Sequence, residues 1–428
     1  MIKIISAQNA ELTEFLGKKQ GDYQKYFSTV EQVLQEVKNR GNQALIDFTA
    51  RFDGVQLDHE SLRVTETEIS DAYNLVEEDY LESLRIAIEN IRRFHQKQLE
   101  KSWMEPDEYG SILGQLYRPL ERVGVYVPGG TASYPSSVLM NVIPAAVAGV
   151  PEIVMVTPPG KDGRVNPYTL AAAAEAGAGE IYKIGGVQAV AALTYGTESI
   201  KKVDKITGPG NIYVTLAKKM VYGDVDIDML AGPSEILVIA DSQANPVFLA
   251  ADLLSQAEHD VLASAVLVTP DRDLAVKVQA ELDRQLQELP RNEIAGRSIE
   301  DFGAIIVTED MEEAISIANV FAPEHLELMV QNPFEMLGKI KNAGAVFLGA
   351  HTPEPVGDYW AGPNHILPTG GTARFYSPVT VDTFVKKTSV IYFSPRRLQE
   401  EGHHIVRLAE KEGLEGHANA VRVRIHRN

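Results

Sequence analysis

The 428-residue sequence contains no cysteine. A disulfide, a cysteine-ligated zinc site, an iron–sulfur cluster and a thiol nucleophile are therefore excluded, and any bound metal must use His, carboxylate or amide ligands. Basic residues are also few: 40 Lys and Arg stand against 59 Asp and Glu, giving a formal net charge of −19. Nucleic acids and anionic membranes both need a basic partner surface, so we expect neither as a partner.

No apolar run is long enough to cross a bilayer. Residues 1–7 lack the apolar core and the cleavage site of a signal peptide, so a cytoplasmic or plastid-stromal protein is expected. What the sequence does contain, 44% hydrophobic and 23% charged residues, is typical of a folded protein. The length favours two or three domains.

The first hundred residues carry helix signals. Ser28–Glu31 matches a capping box that opens a helix, which Gly41 can end, and Thr65–Glu68 matches a second box. Apolar residues at helical spacing predict a long amphipathic helix over 78–98.

After Tyr117, β-branched runs alternate with Ala-rich helical stretches. The predicted strands are Val123–Val127, Glu152–Thr157, Glu180–Ile184, Asp204–Thr207, Ile236–Ala240, Ala263–Thr269, Gly303–Val307, Leu326–Val330 and Ala345–Leu348. The predicted helices are Ser136–Ala148, Tyr168–Ala176, Val187–Tyr195, Ile212–Val221, Pro246–Glu258 and Leu274–Leu289. Such alternation predicts parallel sheets covered by helices, and the number of strands favours two α/β units.

Polar residues of the second half are candidates for chemistry. Gln256 and His259 share one face at the end of a predicted helix, where a metal pair and an ordinary solvated face are both open interpretations. Glu324 and His325 form an acid/base pair only if both lie in the turn before their strand; ordinary polar residues at a helix end are the alternative. Asp358 lies in a Gly- and Pro-rich loop that suits ligand binding or an Asx-turn.

Two glycine-rich loops, 127–131 and 207–211, each lie between a predicted strand and a helix. Their amides can receive a phosphate at the helix N-terminus, although a tight βα turn explains them equally. The dinucleotide fingerprint G-x-G-x-x-G is absent. The C-terminal His417 is, by itself, an exposed residue of a charged tail.

Taken together, these segments resemble the histidinol dehydrogenase family over nearly the whole chain. The matching motifs, in order, are GVYVPGG (124–130), GPGN (208–211), AGPSE (231–235), SQAEH (255–259), APEH (322–325) and GHA (416–418). The resemblance implies oxidation of L-histidinol through L-histidinal to L-histidine, with two NAD⁺ and one zinc ion per subunit. It also implies a homodimer whose C-terminal segment crosses to the partner, and a missing fingerprint is normal for the family.

The resemblance also implies roles for individual residues. The implied zinc ligands are Gln256, His259, Asp358 and His417. Glu324 and His325 would be the catalytic pair, and the NAD contacts would be Tyr126, Gln188 and Asn211. Substrate would be held by Ser234, His325 and Glu412 together with the zinc ligands, and Glu412 and His417 would serve the neighbouring subunit's site.

The expected fold class is α/β, with two incomplete Rossmann-like parallel-sheet domains, a short N-terminal helical arm and a small C-terminal dimer-crossing segment. The expected boundaries are 1–25 for the arm, 26–125 with 236–377 for the first domain, 126–235 for the inserted second domain and 378–428 for the C-terminal segment. The first domain would carry most of the zinc and catalytic site.

Without cysteine, an aldehyde intermediate cannot be held as a thiohemiacetal. It must add water instead, and we assign this hydration to Glu324 and proton removal at both oxidations to His325. Three alternatives are a zinc-dependent hydrolase, a non-catalytic paralogue that binds an imidazole ligand, and a dehydrogenase of another amino alcohol.

Overall fold

The structure, a computed structural model, describes residues 2–17, 24–129 and 134–425. Gly130 and Thr131 of the first glycine-rich loop, and residues 1 and 18–23 of the expected arm, lie outside the described residues. The strands are β1 (Lys3–Ser6), β2 (Trp103–Pro106), β3 (Ile112–Pro119), β4 (Arg122–Tyr126), β5 (Glu152–Val156), β6 (Glu180–Tyr182), β7 (Lys205–Thr207), β8 (Asp226–Ile227), β9 (Glu235–Ala240), β10 (Ser264–Thr269), β11 (Ala304–Val307), β12 (His325–Met329), β13 (Ala345–Leu348) and β14 (Val385–Tyr392).

The α-helices are α1 (Ala10–Gly17), α2 (Phe27–Arg40), α3 (Asn42–Phe52), α4 (Glu66–Leu75), α5 (Glu78–Gln96), α6 (Pro135–Ala148), α7 (Pro167–Ala176), α8 (Gly186–Tyr195), α9 (Ile212–Val221), α10 (Pro246–Ala257), α11 (Arg272–Leu286), α12 (Asn292–Phe302), α13 (Met311–Phe321), α14 (Pro333–Leu337), α15 (Glu354–Val356), α16 (Pro395–Lys411) and α17 (Glu415–Ile425). Short 3₁₀ turns cover Gln24–Tyr26, Thr372–Arg374 and Val381–Phe384, and a π-helical turn, Gly357–Ala361, continues α15.

A six-stranded parallel sheet has the order β1-β11-β10-β9-β12-β13. Every residue of β9 and β10 is buried, as expected for strands that are covered on both faces. One face packs against α10, α11 and α12, and the other packs against α13 and its neighbours. This sheet is the larger of the two predicted α/β units.

The second sheet is five-stranded and parallel, in the order β6-β5-β4-β7-β8. Its hydrophobic core includes α8 and α9, and also the apolar faces of α2 and α3. Residues 26–125 were expected to belong with 236–377, and for α2 and α3 that expectation is wrong. Their buried Val, Leu and Ile side chains complete the core of this sheet instead.

A short connector, residues 228–234, joins β8 of the five-stranded sheet to β9 of the six-stranded sheet. The hydroxyl of Thr215 on α9 donates to the Ala231 carbonyl. One residue further on, the Gly232 amide donates to the hydroxyl of Thr369. The connector is therefore hydrogen-bonded to groups on both sides of its path.

The nine predicted strands and six predicted helices of residues 123–348 are confirmed, with ends that move by up to three residues. The capping box at Thr65 forms, and Gly41 ends α2 with a φ of 53°. The box predicted at Ser28 is wrong: α2 already begins at Phe27, and Tyr26 at its N-cap position makes no side-chain cap. Strand β1, inside the expected N-terminal arm, was missed; it pairs in parallel with β11 in the six-stranded sheet.

Residues 99–120 and 385–428 form a separate compact unit. Its sheet is antiparallel, with the order β14-β3-β2, and α16 packs against α17. The expected C-terminal segment of 378–428 did not include β2 and β3, which belong to the same sheet as β14. Strand β3 pairs with β14 along eight residues. Among the described residues of this unit, Ala418 is the only buried apolar side chain.

A search of the described helices found none with both the length and the apolar composition of a membrane span.

Candidate active site

The sequence-predicted residues of the six-stranded sheet gather at its amino edge. Ser234 directly precedes β9, Glu324 precedes β12, and His325 is the first residue of β12. Because β9 and β12 are parallel neighbours, with His325 opposite Ile236, their first residues lie side by side. Helix α10 returns to the same edge before β10 begins, and so brings Gln256 and His259 there.

The imidazole of His325 is buried and has a defined orientation. Its Nδ1 lies 2.9 Å from the Glu235 carbonyl oxygen, which can only accept, so Nδ1 carries the proton. The other nitrogen, Nε2, is buried without a hydrogen-bond partner among the described residues and lies 3.9 Å from Oδ1 of Asp358. Burial lowers the pKa of His325 below 6.5. A neutral ring with a free Nε2 lone pair is ready to take a proton at neutral pH.

The Glu324 carboxyl lies beside this histidine. Its Oε2 accepts the Glu235 amide hydrogen at 2.8 Å and lies 3.6 Å from Nδ1 of His325. Burial raises the pKa of Glu324 well above 4.5, although the Glu235 amide favours the carboxylate. A carboxyl tuned in this direction transfers protons near neutral pH more effectively than an ordinary glutamate. The expectation that both residues lie in the turn is wrong for His325, which is the first residue of β12, but the two side chains still approach to 3.6 Å because Glu324 lies in the turn directly before it.

Asp358 lies on the π-helical turn that continues α15. Its Oδ1 lies 3.9 Å from Nε2 of His325, and its Oδ2 lies 3.7 Å from Nδ1 of His365. Burial raises the pKa of Asp358 to about 6, and a hydrogen bond with Glu354 opposes this shift. In the described residues, His325, Glu354 and Asp358 offer ligand atoms that all lie within 4.8 Å of one another.

Gln256 and His259 lie at the end of α10. Gln256 is almost completely buried, and its Oε1 has no partner among the described side chains and backbone groups. His259 is exposed in the turn after the helix, close enough to act electrostatically on His325 and Glu354. The unused amide oxygen, the Asp358 carboxylate and an imidazole are donors that zinc accepts, so these residues fit the implied metal.

The group of His325, Glu354 and Asp358 could hold a metal in a second arrangement, which differs from the ligand set that the resemblance implies. Because Nδ1 of His325 already donates to Glu235, a metal ion would occupy Nε2 and remove the one lone pair that can act as a base. The two roles exclude each other. Asp358 is common to both possible ligand sets.

Of the remaining expected residues, Ser234 lies at the amino edge of the six-stranded sheet, whereas Glu412 and His417 lie near the C-terminus. Ser234 is half-buried, and its carbonyl accepts the Ser264 amide hydrogen at the start of β10. Glu412 caps the C-terminus of α16, and His417 lies in α17; both are exposed and belong to the separate unit of residues 99–120 and 385–428.

Tyr126, Gln188 and Asn211 line one cavity of about 1000 Å³ at the carboxyl edge of the five-stranded sheet. The Tyr126 hydroxyl accepts the Gly186 amide hydrogen at 3.0 Å, and burial raises the pKa of this phenol to about 12. Gln188 is buried with an unpartnered Oε1 among the described atoms. Asn211 caps the first turn of α9. The carboxyl edge of a parallel sheet is where open α/β folds bind nucleotides.

A steric constraint explains why the second glycine-rich loop, beside this cavity, has glycine at position 208. Gly208 adopts a φ of 112°, and a Cβ there would lie 2.0 Å from the Tyr126 carbonyl oxygen. A residue with a side chain would therefore push the loop away from β4.

The sequence interpretation missed several buried acidic groups. Glu235, Glu327, Glu354 and Asp252 are all buried near the amino edge, and Asp53 lines the cavity with a buried, unpartnered Oδ2. Glu235 ends the AGPSE motif of residues 231–235 and Glu354 lies four residues before Asp358, so position beside the candidates was an available signal. Glu327 offered another signal in the sequence, because a charged residue in the middle of an apolar strand is rarely left without a partner.

Two parallel α/β sheets, a large cavity at the carboxyl edge of one and a buried acid/base pair at the amino edge of the other define a two-sheet α/β enzyme. A family model described as histidinol dehydrogenase matches residues 16–425. The chain belongs to the histidinol dehydrogenase family, and it is an oxidoreductase of histidine biosynthesis.

Relatives and a solved structure agree with this assignment. The chain is 59% identical over 427 residues to histidinol dehydrogenase of Heliobacterium mobile, with 100% of each chain covered. It is 56% identical over 399 residues to the enzyme of Bacillus subtilis, with 93% of each covered. A crystal structure of histidinol dehydrogenase from Elizabethkingia anophelis has a TM-score of 0.95 and 41% identity, and the match covers 99% of this chain and 98% of that one.

Proposed function

We propose that this chain is a zinc-dependent enzyme that oxidises L-histidinol through L-histidinal to L-histidine and reduces two NAD⁺. The observation that carries the proposal is His325, which is buried, held by Glu235 through Nδ1, and free at Nε2 beside Asp358. A neutral base in this position suits removal of an alcohol proton.

Gln256, His259, Asp358 and His417 are the residues that would hold zinc, with His417 supplied by the partner subunit. A zinc ion held by these residues would help to orient the substrate, whose imidazole and amine nitrogens are groups that a metal can bind. The unpartnered Oε1 of Gln256 and the position of Asp358 support this set. His325 is assigned to proton transfer, which keeps it off the metal.

His325 acts in both oxidations. In the first, Nε2 takes the hydroxyl proton of the alcohol while the hydride leaves its carbon, and the aldehyde forms. Water then adds to the carbonyl to give a gem-diol. Nε2 releases its first proton to water and, in the second oxidation, takes a proton from a diol hydroxyl as the second hydride leaves, and the carboxylic acid forms.

Glu324 is assigned to the hydration step, because its buried carboxyl lies next to His325 and its pKa is raised toward the working pH. Glu324→Gln keeps an oxygen that accepts the Glu235 amide hydrogen but cannot take a proton from water. We expect the oxidation of L-histidinal to slow by about 10²–10⁴-fold, with a smaller effect on aldehyde formation. Stopped-flow absorbance of NADH with each substrate separates the two steps.

Glu293→Gln, on the exposed face of α12, is the matched control for the loss of one carboxylate. A Glu324→Gln enzyme that keeps the full rate with both L-histidinol and L-histidinal would show that Glu324 does not activate water.

The cavity of the five-stranded sheet is the proposed NAD site, with Tyr126, Gln188 and Asn211 as contacts. Its volume of about 1000 Å³ accommodates a dinucleotide. The N-termini of α8 and α9 both begin at its wall, so their amides are available to the pyrophosphate. NAD⁺, when bound there, accepts the hydride.

A homodimer with shared active sites is the proposed assembly. The unit formed by residues 99–120 and 385–428 exposes Trp103, Met104, Ile391 and Leu408, and Ala418 is its one buried apolar residue among those described. A unit with so small a core needs a further surface to cover it. A second copy of the chain, positioned by Glu412 and His417 at the partner's site, would supply that surface. A cytoplasmic location is a further prediction.

The test is the number of NADH formed per L-histidinol consumed, with and without a chelator. We expect two NADH per substrate, loss of the reaction after metal removal, and recovery with zinc. One NADH per substrate would mean that oxidation ends at the aldehyde and would remove the hydration step. A zinc-loaded dimer that forms no NADH would favour a zinc-dependent hydrolase.

A further inference from the structure

Three buried carboxyls lie together behind the proposed zinc ligands: Asp252 of α10, Glu327 of β12 and Glu354 of α15. Their exposed fractions are 7%, 2% and 2%. In the described chain, no Lys or Arg acts on any of the three as an ion-pair partner. Buried carboxylates without a cation are costly unless they share protons or hold donors, so the contacts within this carboxyl cluster must compensate.

Glu327 lies at the centre of the carboxyl cluster. Its Oε1 accepts the Glu354 amide hydrogen at 2.9 Å. Its other oxygen, Oε2, and Oδ2 of Asp252 are both buried without a hydrogen-bond partner among the described residues, and each of the two carboxyls acts on the pKa of the other. Burial raises the pKa of Asp252 to about 6 and that of Glu327 well above 4.5.

The other contacts of the cluster lead to the proposed ligands. Glu354 accepts the Ser255 hydroxyl hydrogen at 3.1 Å, and a carboxylate oxygen of Glu354 lies within 4.8 Å of one of Asp358. Asp252 lies one helical turn before Gln256 on the same face of α10. The cluster therefore connects the helix that carries Gln256 and His259 with the turn that carries Asp358, through the strand that begins with His325.

We propose that Glu327 is a positioning residue for the zinc site: its side chain bridges Asp252 and the Glu354 amide, and so holds α10 and the Asp358 turn at the spacing that zinc requires. This inference rests on the proposed zinc-dependent function. Outer groups that orient metal ligands commonly change metal affinity by about 10–100-fold when removed.

The test compares zinc affinities, measured by competition with a chromophoric chelator on the metal-stripped full-length protein. Glu327→Leu fills the space but removes the polar group that Glu354 and Asp252 face, and we expect its zinc Kd to rise by about 10–100-fold. Glu327→Gln keeps Oε1 for the Glu354 amide and presents an amide group that can donate a hydrogen to Asp252. Its Kd is expected to stay within about threefold of wild type.

Leu328→Ala is the matched control. Leu328 is the next residue of β12, points to the opposite face and packs in the other core, so its truncation destabilises the sheet without touching the cluster. We expect a lower unfolding temperature and an unchanged zinc Kd. Should Glu327→Leu not fold, Asp252→Ala cuts only the link to α10, and about a tenfold rise in Kd is expected.

An unchanged zinc Kd in Glu327→Leu, or in Asp252→Ala if that variant is used, would overturn the inference. So would a Glu327→Gln protein as weak as the leucine variant, or a Leu328→Ala protein that loses the same affinity. These results leave the proposed function standing, because the wild type still binds zinc. A wild-type protein that binds no zinc would overturn the proposed function and this inference together.

Discussion

His325→Asn is expected to lower kcat with both L-histidinol and L-histidinal by about 10²–10⁴-fold. The asparagine amide can occupy the place of Nδ1 and donate to the Glu235 carbonyl, so the start of β12 keeps its hydrogen bond. It has no group at the position of Nε2, which is the nitrogen that faces Asp358. The variant thus removes the base while leaving the fold intact, and steady-state NADH formation with each substrate measures the loss.

His351→Asn is the control, because His351 is exposed in the loop after β13 and belongs to neither possible ligand set. Its kcat should equal that of wild type. Our assignment uses one base for both oxidations, so a defect confined to one substrate would contradict it. A zinc content equal to wild type in His325→Asn is a second expectation, since the proposed metal set omits this residue.

Mixing inactive His259→Ala and His417→Ala protomers is expected to restore activity to about half that of wild type per heterodimer. Each homodimeric variant lacks one zinc ligand in both sites. In the heterodimer, one site receives the intact His259 of one protomer and the intact His417 of the other, while the second site lacks both. Differently tagged protomers allow the mixed dimer to be isolated before NADH formation is measured.

A verified heterodimer with no more activity than either parent would contradict sharing of the sites between subunits. The control is a mixture of His259→Ala with a second His259→Ala preparation that carries the other tag. It should recover nothing, because no combination of its protomers supplies the missing ligand.

The parallel sheets were predictable because their strands are buried on both faces and read as continuous apolar runs. β9 and β10 are of this kind, and both were predicted within one residue of their observed ends. β2 and β3 were missed, since their exposed or half-buried residues lack such a run. The Ser28 box failed because the helix gains its stability from packing of Val30 and Val33, not from its first cap.

Some residues of the candidate site could be predicted from the sequence, and others could not. Gln256 with His259 and Glu324 with His325 are close in sequence, so one short motif shows each pair. Glu235 and Glu327 act across strands, and only the register of β9 against β12 brings Glu235 to the His325 ring. The fixed tautomer of His325 depends on a backbone carbonyl, which carries no residue-specific signal at all.

The connector of residues 228–234 has a consequence for the proposed reaction, which uses two NAD⁺ in turn. At about 3.5 Å per residue, its seven residues span at most about 25 Å. The hydrogen bonds at Ala231 and Gly232 shorten its free length further. A tether this short keeps the cavity edge and the His325 edge at an effective concentration of at least the millimolar order. The two edges therefore stay within reach of each other through both of the proposed oxidations.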